Sequence, residues 1–390
     1  MLPTSASDNI VPVISVNPDV LKWAREERGL SRAEAALRLG IPDAELAAYE
    51  SGKKKPLVGT LRHISARYQI NFVSLLLPER PPPQPKLQDF RTHPGRLRRR
   101  PLTLETLVAI QDVRDALATF AELRADDPAL VPLPKLDTML PRESPEDLAA
   151  RQRRSFKVSI RDQQDWRSEA SARDEWRRHI EAQGIFVYLK RMDPKDCRGF
   201  SIMHEGLAAI CVNDREESPG AETFTLLHEY AHLLRRQTGI SDENRRNAVE
   251  QYCNQFAASF LIPRVPLRAA LNSPDKAADY PDSEIKRLAG LFNVSPTAMA
   301  LRLEHAGLAP KGFFAKHTGA WAASRAKAAQ RPAQQMMGGP TAVARAARVL
   351  GRHHTRTVLQ AYERGALNAS DAHGMLDVPI ASFQALGMAV

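Results

Sequence analysis

The alternation of apolar and polar positions predicts mostly helices, interrupted once by a short run of strands. From Val20 to Leu77 the pattern is helical and compact. Leu21, Trp23 and Ala24 open a first helix that Gly29 stops. Ser31, followed three residues later by Glu34, is a capping box for a second helix whose apolar face is Ala35, Ala36 and Leu39. Gly40 closes that helix, and a third follows Pro42 with Leu46, Ala47 and Tyr49. Ser51-Gly52, three lysines and Pro56 lead to a fourth with Leu61, Ile64 and Tyr68. Two short helices joined by a tight Gly-containing turn make a helix-turn-helix.

Beyond Leu77 the pattern loosens. Pro81-Pro82-Pro83-Gln84-Pro85 predicts a stiff extended linker. Residues 103–125 have helical periodicity, the five prolines of 126–145 predict a loop, and 145–182 is polar and helical, with Trp166 and Trp176 marking buried faces. The run 184–190 is a strand, and Phe200–Met203 and Leu207–Val212 flank His204-Glu205-Gly206 as a hairpin. After Pro219-Gly220 comes a strongly apolar helix, then a second from about Arg246 to Ile262, stopped by Pro263. Two short helices surround Asn293-Val-Ser-Pro296, residues 310–340 are Ala-, Gln- and Gly-rich and predicted to be disordered, and small helices resume over 341–386. The predicted segments are 17–78, a linker 79–102, a helical connection 103–182, a core 183–308, a flexible linker 309–340 and a small helical domain 341–390.

With 390 residues and 43% apolar positions the chain can build two or three cores; with 6% aromatics those cores are aliphatic. Three scattered cysteines exclude a disulfide framework and a cysteine-based zinc site. No apolar run reaches spanning length and no leader pattern opens the chain, so the expected compartment is the cytoplasm, with no membrane partner. The net charge of +10 is uneven: residues 1–100 carry 17 Lys/Arg against 10 Asp/Glu, residues 311–390 carry 10 against 3, and the middle is slightly acidic. Basic ends suggest contact with a polyanion; the cluster Arg96, Arg98, Arg99, Arg100 fits either that or a solvated linker. Arg345, Arg348, Arg352 and Arg356 recur at helical spacing, and a solvated face is the default for them.

The chemistry is carried by Phe224-Thr-Leu-Leu-His-Glu-Tyr-Ala-His-Leu-Leu234. Two histidines at i and i+4 share a helix face, so His228 and His232 can hold one Zn²⁺ while Glu229 stands beside the open position. A catalytic zinc takes three protein ligands and leaves a fourth position for water. Glu250, on the following helix in one stripe with Cys253, Asn254, Ala257 and Leu261, is the third candidate, because a carboxylate in an apolar stripe needs a compensating charge. Zinc would acidify a water and Glu229 would act as general base. Asn254 and His204 are further pocket candidates, His204 as a group that could steady an oxyanion from the hairpin turn. The strand 207–212 is either core or an edge for an extended substrate.

The run Phe224–Leu234, with Glu250, Asn254-Gln-Phe-Ala-Ala258 and Pro263, resembles the ImmA/IrrE (DUF955) family of metallopeptidases, over roughly 180–308. The resemblance implies a zincin-like domain with His228, His232 and Glu250 as zinc ligands, Glu229 as general base, and a helical module after the site, here Leu291–Leu303. The chain departs at Tyr230-Ala231, where members commonly have a small or apolar residue followed by Gly. Residues 20–77 resemble the XRE (Cro/cI-like) helix-turn-helix through Arg25-Glu-Glu-Arg-Gly-Leu-Ser31, Leu39-Gly-Ile41, Tyr49-Glu-Ser-Gly52 and Pro56. That fold lays its second motif helix in the major groove. Here that helix shows Asp43, Ala44, Glu45 and Ala48, acids that would repel phosphates and no Arg, Asn or Gln for base edges. Arg32, Arg38, Lys53, Lys54 and Lys55 are the candidate phosphate contacts.

The expected fold is therefore mainly α with a small β-sheet (α+β): an N-terminal five-helix helix-turn-helix bundle, a zincin-like metallopeptidase domain and a helical C-terminal extension. The resemblances imply a zinc-dependent site-specific endopeptidase fused to a DNA-binding domain and cutting a transcriptional repressor. Its partners would be a repressor-like substrate, double-stranded DNA and a second copy in a homodimer. The competing expectation is an XRE-type regulator or antitoxin whose peptidase-like domain senses metal or ligand without cutting.

Overall fold

A computed structural model describes residues 16–81, 102–236, 243–271, 279–328 and 341–390. Residues 1–15, most of the Pro-rich linker, the Arg96–Arg100 cluster and residues 329–340 lie outside the described residues. The chain divides into a smaller N-terminal unit and a larger one whose main span begins at Gln111.

The smaller unit has four α-helices, α1 (Pro18–Glu27), α2 (Arg32–Leu39), α3 (Asp43–Glu50) and α4 (Val58–Tyr68), and a fifth helical element, a 3₁₀ turn at Phe72–Leu76. Ser31 and Glu34 form the reciprocal capping box at the start of α2, and Gly40 ends it at φ 65°, a left-handed conformation suited to glycine. Leu21, Ala24, Ala36, Leu39, Leu46, Leu61 and Ile64 build one core. Inside it Arg25 clamps Glu50 with two hydrogen bonds of 2.7 and 2.9 Å.

α5 (Leu104–Asp126), which enters the larger unit at Gln111, is followed there by α6 (Pro145–Phe156), α7 (Ile160–Asp165) and α8 (Glu169–Glu181). Then come β1 (Ile185–Lys190), β2 (Gly199–His204) and β3 (Leu207–Asn213), and after them α9 (Pro219–Arg235) and α10 (Glu243–Leu261). The strand order is β1-β3-β2, with β1 parallel and β2 antiparallel to β3. Because side chains alternate, each face has its own cover. Ile185, Val187, Leu189, Ala208, Ile210 and Val212 join α9 and α10 in the main core. On the other face Phe186 stacks on Phe120 of α5, with ring centroids 4.4 Å apart. β3, weighed above as a substrate edge, is the central strand and pairs on both sides; among the described residues the outer edge of β2 has no strand partner.

The helices α11 (Arg264–Ala269), α12 (Asp282–Leu291), α13 (Pro296–His305) and α14 (Phe313–Ala328) follow. α11 was not legible in the sequence, and α14 corrects the expectation of disorder over 310–340: His317 and Trp321 reach back to Asp282 at 2.7 and 2.9 Å, giving the Ala-rich stretch a tertiary anchor. The chain ends with α15 (Ala342–Glu363), α16 (Ala369–Leu376) and α17 (Phe383–Ala389). This C-terminal module is docked rather than detached. α15 kinks at Gly351 (φ 78°, ψ 172°), where a Cβ would stand 2.1 Å from Glu181 Oε1. Glu181 instead accepts the Arg352 amide at 3.0 Å, and Arg177 donates to the carbonyls of Arg348 and Val187. Next to the kink, His353 stacks on Phe186 at 4.3 Å and His354 accepts from Tyr188 Oη at 3.0 Å.

Candidate metal centre

The centre lies where α9 crosses α10. α9 is capped by Ser218, which accepts from the Ala221 amide, and starts with Pro219, both good first-turn choices. Nearly every side chain along it is buried, so its histidines have little freedom; His228 is 0% and Glu229 2% exposed. One turn apart, the Nε2 atoms of His228 and His232 stand 3.1 Å from each other. From α10 the Glu250 carboxylate reaches both, with Oε2 3.2 Å from His228 Nε2 and Oε1 3.3 Å from His232 Nε2. On the other side of His228, Nδ1 lies 3.0 Å from Asn254 Oδ1. An amide oxygen only accepts, so Nδ1 carries the proton and Nε2 turns its lone pair towards the centre. Asn254, a pocket candidate in the sequence, is thus the orienting partner of one imidazole.

This triangle can be tested against a metal ion. Four donors at about 2.0–2.1 Å around a tetrahedral zinc are separated by about 3.3–3.4 Å. The three edges, 3.1, 3.2 and 3.3 Å, are close to that spacing. Without an ion the arrangement needs a shared proton. Burial opposes charge on His232, yet Cys253, Glu250 and Glu229 outweigh it and hold its pKa well above the usual imidazole range. Burial likewise opposes charge on Glu250, and its two imidazole neighbours, His228 and His232, outweigh it, keeping its carboxyl well below the usual range. A divalent cation would satisfy both imidazoles and the carboxylate together, so the donor set fits zinc.

Glu229 stands beside the triangle; a ligand-type atom from each of His228, Glu229 and His232 lies within 4.8 Å of the others. Two residues absent from the sequence reading place it. Ser201 of β2 donates to Glu229 Oε2 at 3.1 Å. At Gly199 a Cβ would stand 2.7 Å from Thr225 Cγ2 and 3.2 Å from Glu229 Cγ, so only glycine lets β2 approach α9 there. His204, by contrast, is not brought in. It is exposed, and the two-residue alternation that points Gly199 and Ser201 at α9 turns His204 to the opposite face of β2.

The five cations expected to meet phosphates divide. Arg32 grips Asp43 through Nε and Nη2 at 3.0 and 2.9 Å, and Lys54 is bonded to Glu45, which also accepts from Tyr49 Oη. The acids of α3 are therefore engaged with two of the expected cations, not set against phosphates unaccompanied. Arg38 is exposed one turn from Glu34 on α2, and Lys53 and Lys55 are exposed after α3.

Residues 180–304, which contain every donor of the centre, match the family described as IrrE N-terminal-like domain, a peptidase family. Residues 21–75 match the helix-turn-helix family. The chain is thus a fusion of a helix-turn-helix segment of a DNA-binding type with an IrrE-like, metallopeptidase-like domain. No curated protein and no solved structure matches it. Among the described residues no helix is long and apolar enough to cross a membrane.

Proposed function

We propose that the chain is a zinc endopeptidase that cuts one site in a repressor-like transcription regulator. The observation that carries the reading is the donor triangle of His228, His232 and Glu250, with Glu229 alongside it. Bound there, zinc supplies Lewis acidity for a water and a scissile carbonyl. His228, steadied by Asn254, and His232 hold the ion's position together with Glu250. Glu229 keeps Oε2 on the Ser201 hydroxyl, takes the proton of the attacking water on its other oxygen and passes it to the leaving amine. An extended substrate segment adds to the outer edge of β2, the strand that carries Ser201; main-chain pairing of that kind grips a peptide and leaves side chains to select it. The helix-turn-helix segment brings the enzyme to duplex DNA, where transcription regulators are found.

The test combines zinc analysis of purified protein with mass spectrometry of cells expressing either wild type or Glu229→Gln. The expected result is zinc in both proteins and one transcription regulator truncated only with wild type. Zinc-loaded protein with identical proteomes in the two cultures would overturn the peptidase reading, and protein that takes up no zinc would overturn the metal centre.

A further inference from the structure

The face of the helix-turn-helix that would enter a major groove bears almost nothing that can read a base. α3 is Asp-Ala-Glu-Leu-Ala-Ala-Tyr-Glu, and Leu46 and Tyr49 are buried in the core. Base edges are read by Arg or Lys on guanine, Asn or Gln on adenine, and Asp or Glu on cytosine. The first two kinds are missing from α3. The carboxylates of Asp43, Glu45 and Glu50 are occupied by Arg32, Lys54 and Arg25. Ala44, Ala47 and Ala48 remain, and a methyl group offers a thymine contact without a hydrogen bond. The same pairs compete with phosphate for Arg32 and Lys54. Both pairs are solvent-accessible, with side-chain exposures of 49% and 46% for Arg32–Asp43 and 55% and 29% for Lys54–Glu45. Exposed pairs of this kind are weakly held.

We infer that this unit contacts duplex DNA without reading sequence, through Lys53 and Lys55 on the phosphate backbone, and that Asp43 and Glu45 hold that contact weak by occupying Arg32 and Lys54. The inference rests on the DNA-contacting part of the proposed function and is independent of the metal centre.

The experiment uses the full chain and fluorescent 20-base-pair duplexes of random sequence, titrated by anisotropy at several NaCl concentrations. Two phosphate contacts correspond to a slope of log affinity on log salt of about −2. The double variant Asp43→Asn with Glu45→Gln, which keeps an acceptor for Tyr49, is expected to steepen the slope towards about −4 and to tighten binding at least tenfold at about 50 mM NaCl. Lys53→Ala with Lys55→Ala is expected to abolish binding by the otherwise unaltered chain. Selection from a random duplex pool is expected to enrich no sequence. An enriched sequence would overturn the inference while leaving DNA contact in place. No binding of any duplex, even by the Asp43→Asn/Glu45→Gln protein, would overturn DNA contact itself and leave α3 as a surface for a protein.

Discussion

At the scale of single residues, the centre depends on side chains that orient other side chains. Asn254 fixes the tautomer of His228, and Ser201 fixes one oxygen of Glu229. Orienting partners of this kind act through the group they hold. Ser201→Ala is therefore expected to lower the turnover of whichever regulator the mass-spectrometric comparison identifies by about tenfold, the worth of one hydrogen bond to a charged group. Zinc content and KM should stay as in wild type, and Ser201→Thr, which restores a hydroxyl, should recover most of the rate. Steady-state kinetics on the three proteins decide it: turnover unchanged by Ser201→Ala would show that the 3.1 Å contact is incidental. Apart from the pairing of Glu250 with the two histidines, which the family resemblance implied, the relations legible in the sequence were local. His228 and His232 meet because a helix repeats every 3.6 residues, and Asn254 follows Glu250 by one turn for the same reason. Ser201 and Gly199 were not legible, because their approach to Glu229 is set by the pairing of β2 with β3 and by the crossing of α9, and neither is written in local spacing.

At the scale of elements, the divergence lies beyond residue 309. Composition predicted disorder and then a separate small domain, since the Ala-rich run of α14 shows little core-forming period of its own and the apolar stripe of α15 does not name the elements that cover it. What orders α15 is a niche built by other elements: Glu181 and Arg177 of α8 meeting the kink that Gly351 allows. The histidines beside that kink are its most testable feature. Burial drives the pKa of His353, and of His354, down to about 4. A histidine whose folded pKa is depressed contributes stability above its unfolded value of about 6.5, and that contribution is lost as pH falls from there towards the folded value. Each such group gives a slope of about 1.4 kcal/mol per pH unit within that window. The Nε2 of His353 is buried without a hydrogen-bond partner, and its ring stacks on Phe186, so His353→Phe should keep the packing and remove the proton. Urea midpoints measured between pH 6.5 and 5 are expected to fall less steeply for His353→Phe than for wild type. Parallel slopes would mean that His353 takes up protons equally in the folded and unfolded chains.

At the scale of the whole molecule, the uneven charge and the two cores belong together. Of the C-terminal arginines spaced as a basic face, Arg348 donates to Glu222 of α9 at 3.2 Å and Arg356 to the Val390 carbonyl at 3.0 Å, so part of that charge serves internal docking. Each of the two units has its own hydrophobic core, and all the donors of the centre lie in the larger one. Metal should therefore stabilise one unit and not the other. An ion that binds only the folded state, present at about a hundred times its dissociation constant, adds about 2.7 kcal/mol. For a domain of several hundred residues that corresponds to a rise of roughly 5 °C or more in the midpoint. Calorimetry of the full chain is expected to show two transitions. Added zinc should raise the one belonging to the larger unit, chelator should reverse the rise, and the transition of the helix-turn-helix unit should stay fixed. His232→Ala removes one corner of the triangle, so zinc should no longer move either transition in that variant. A zinc-dependent rise that survived His232→Ala would locate the ion elsewhere, and the three short distances at the crossing of α9 and α10 would then have to be explained by the shared proton alone.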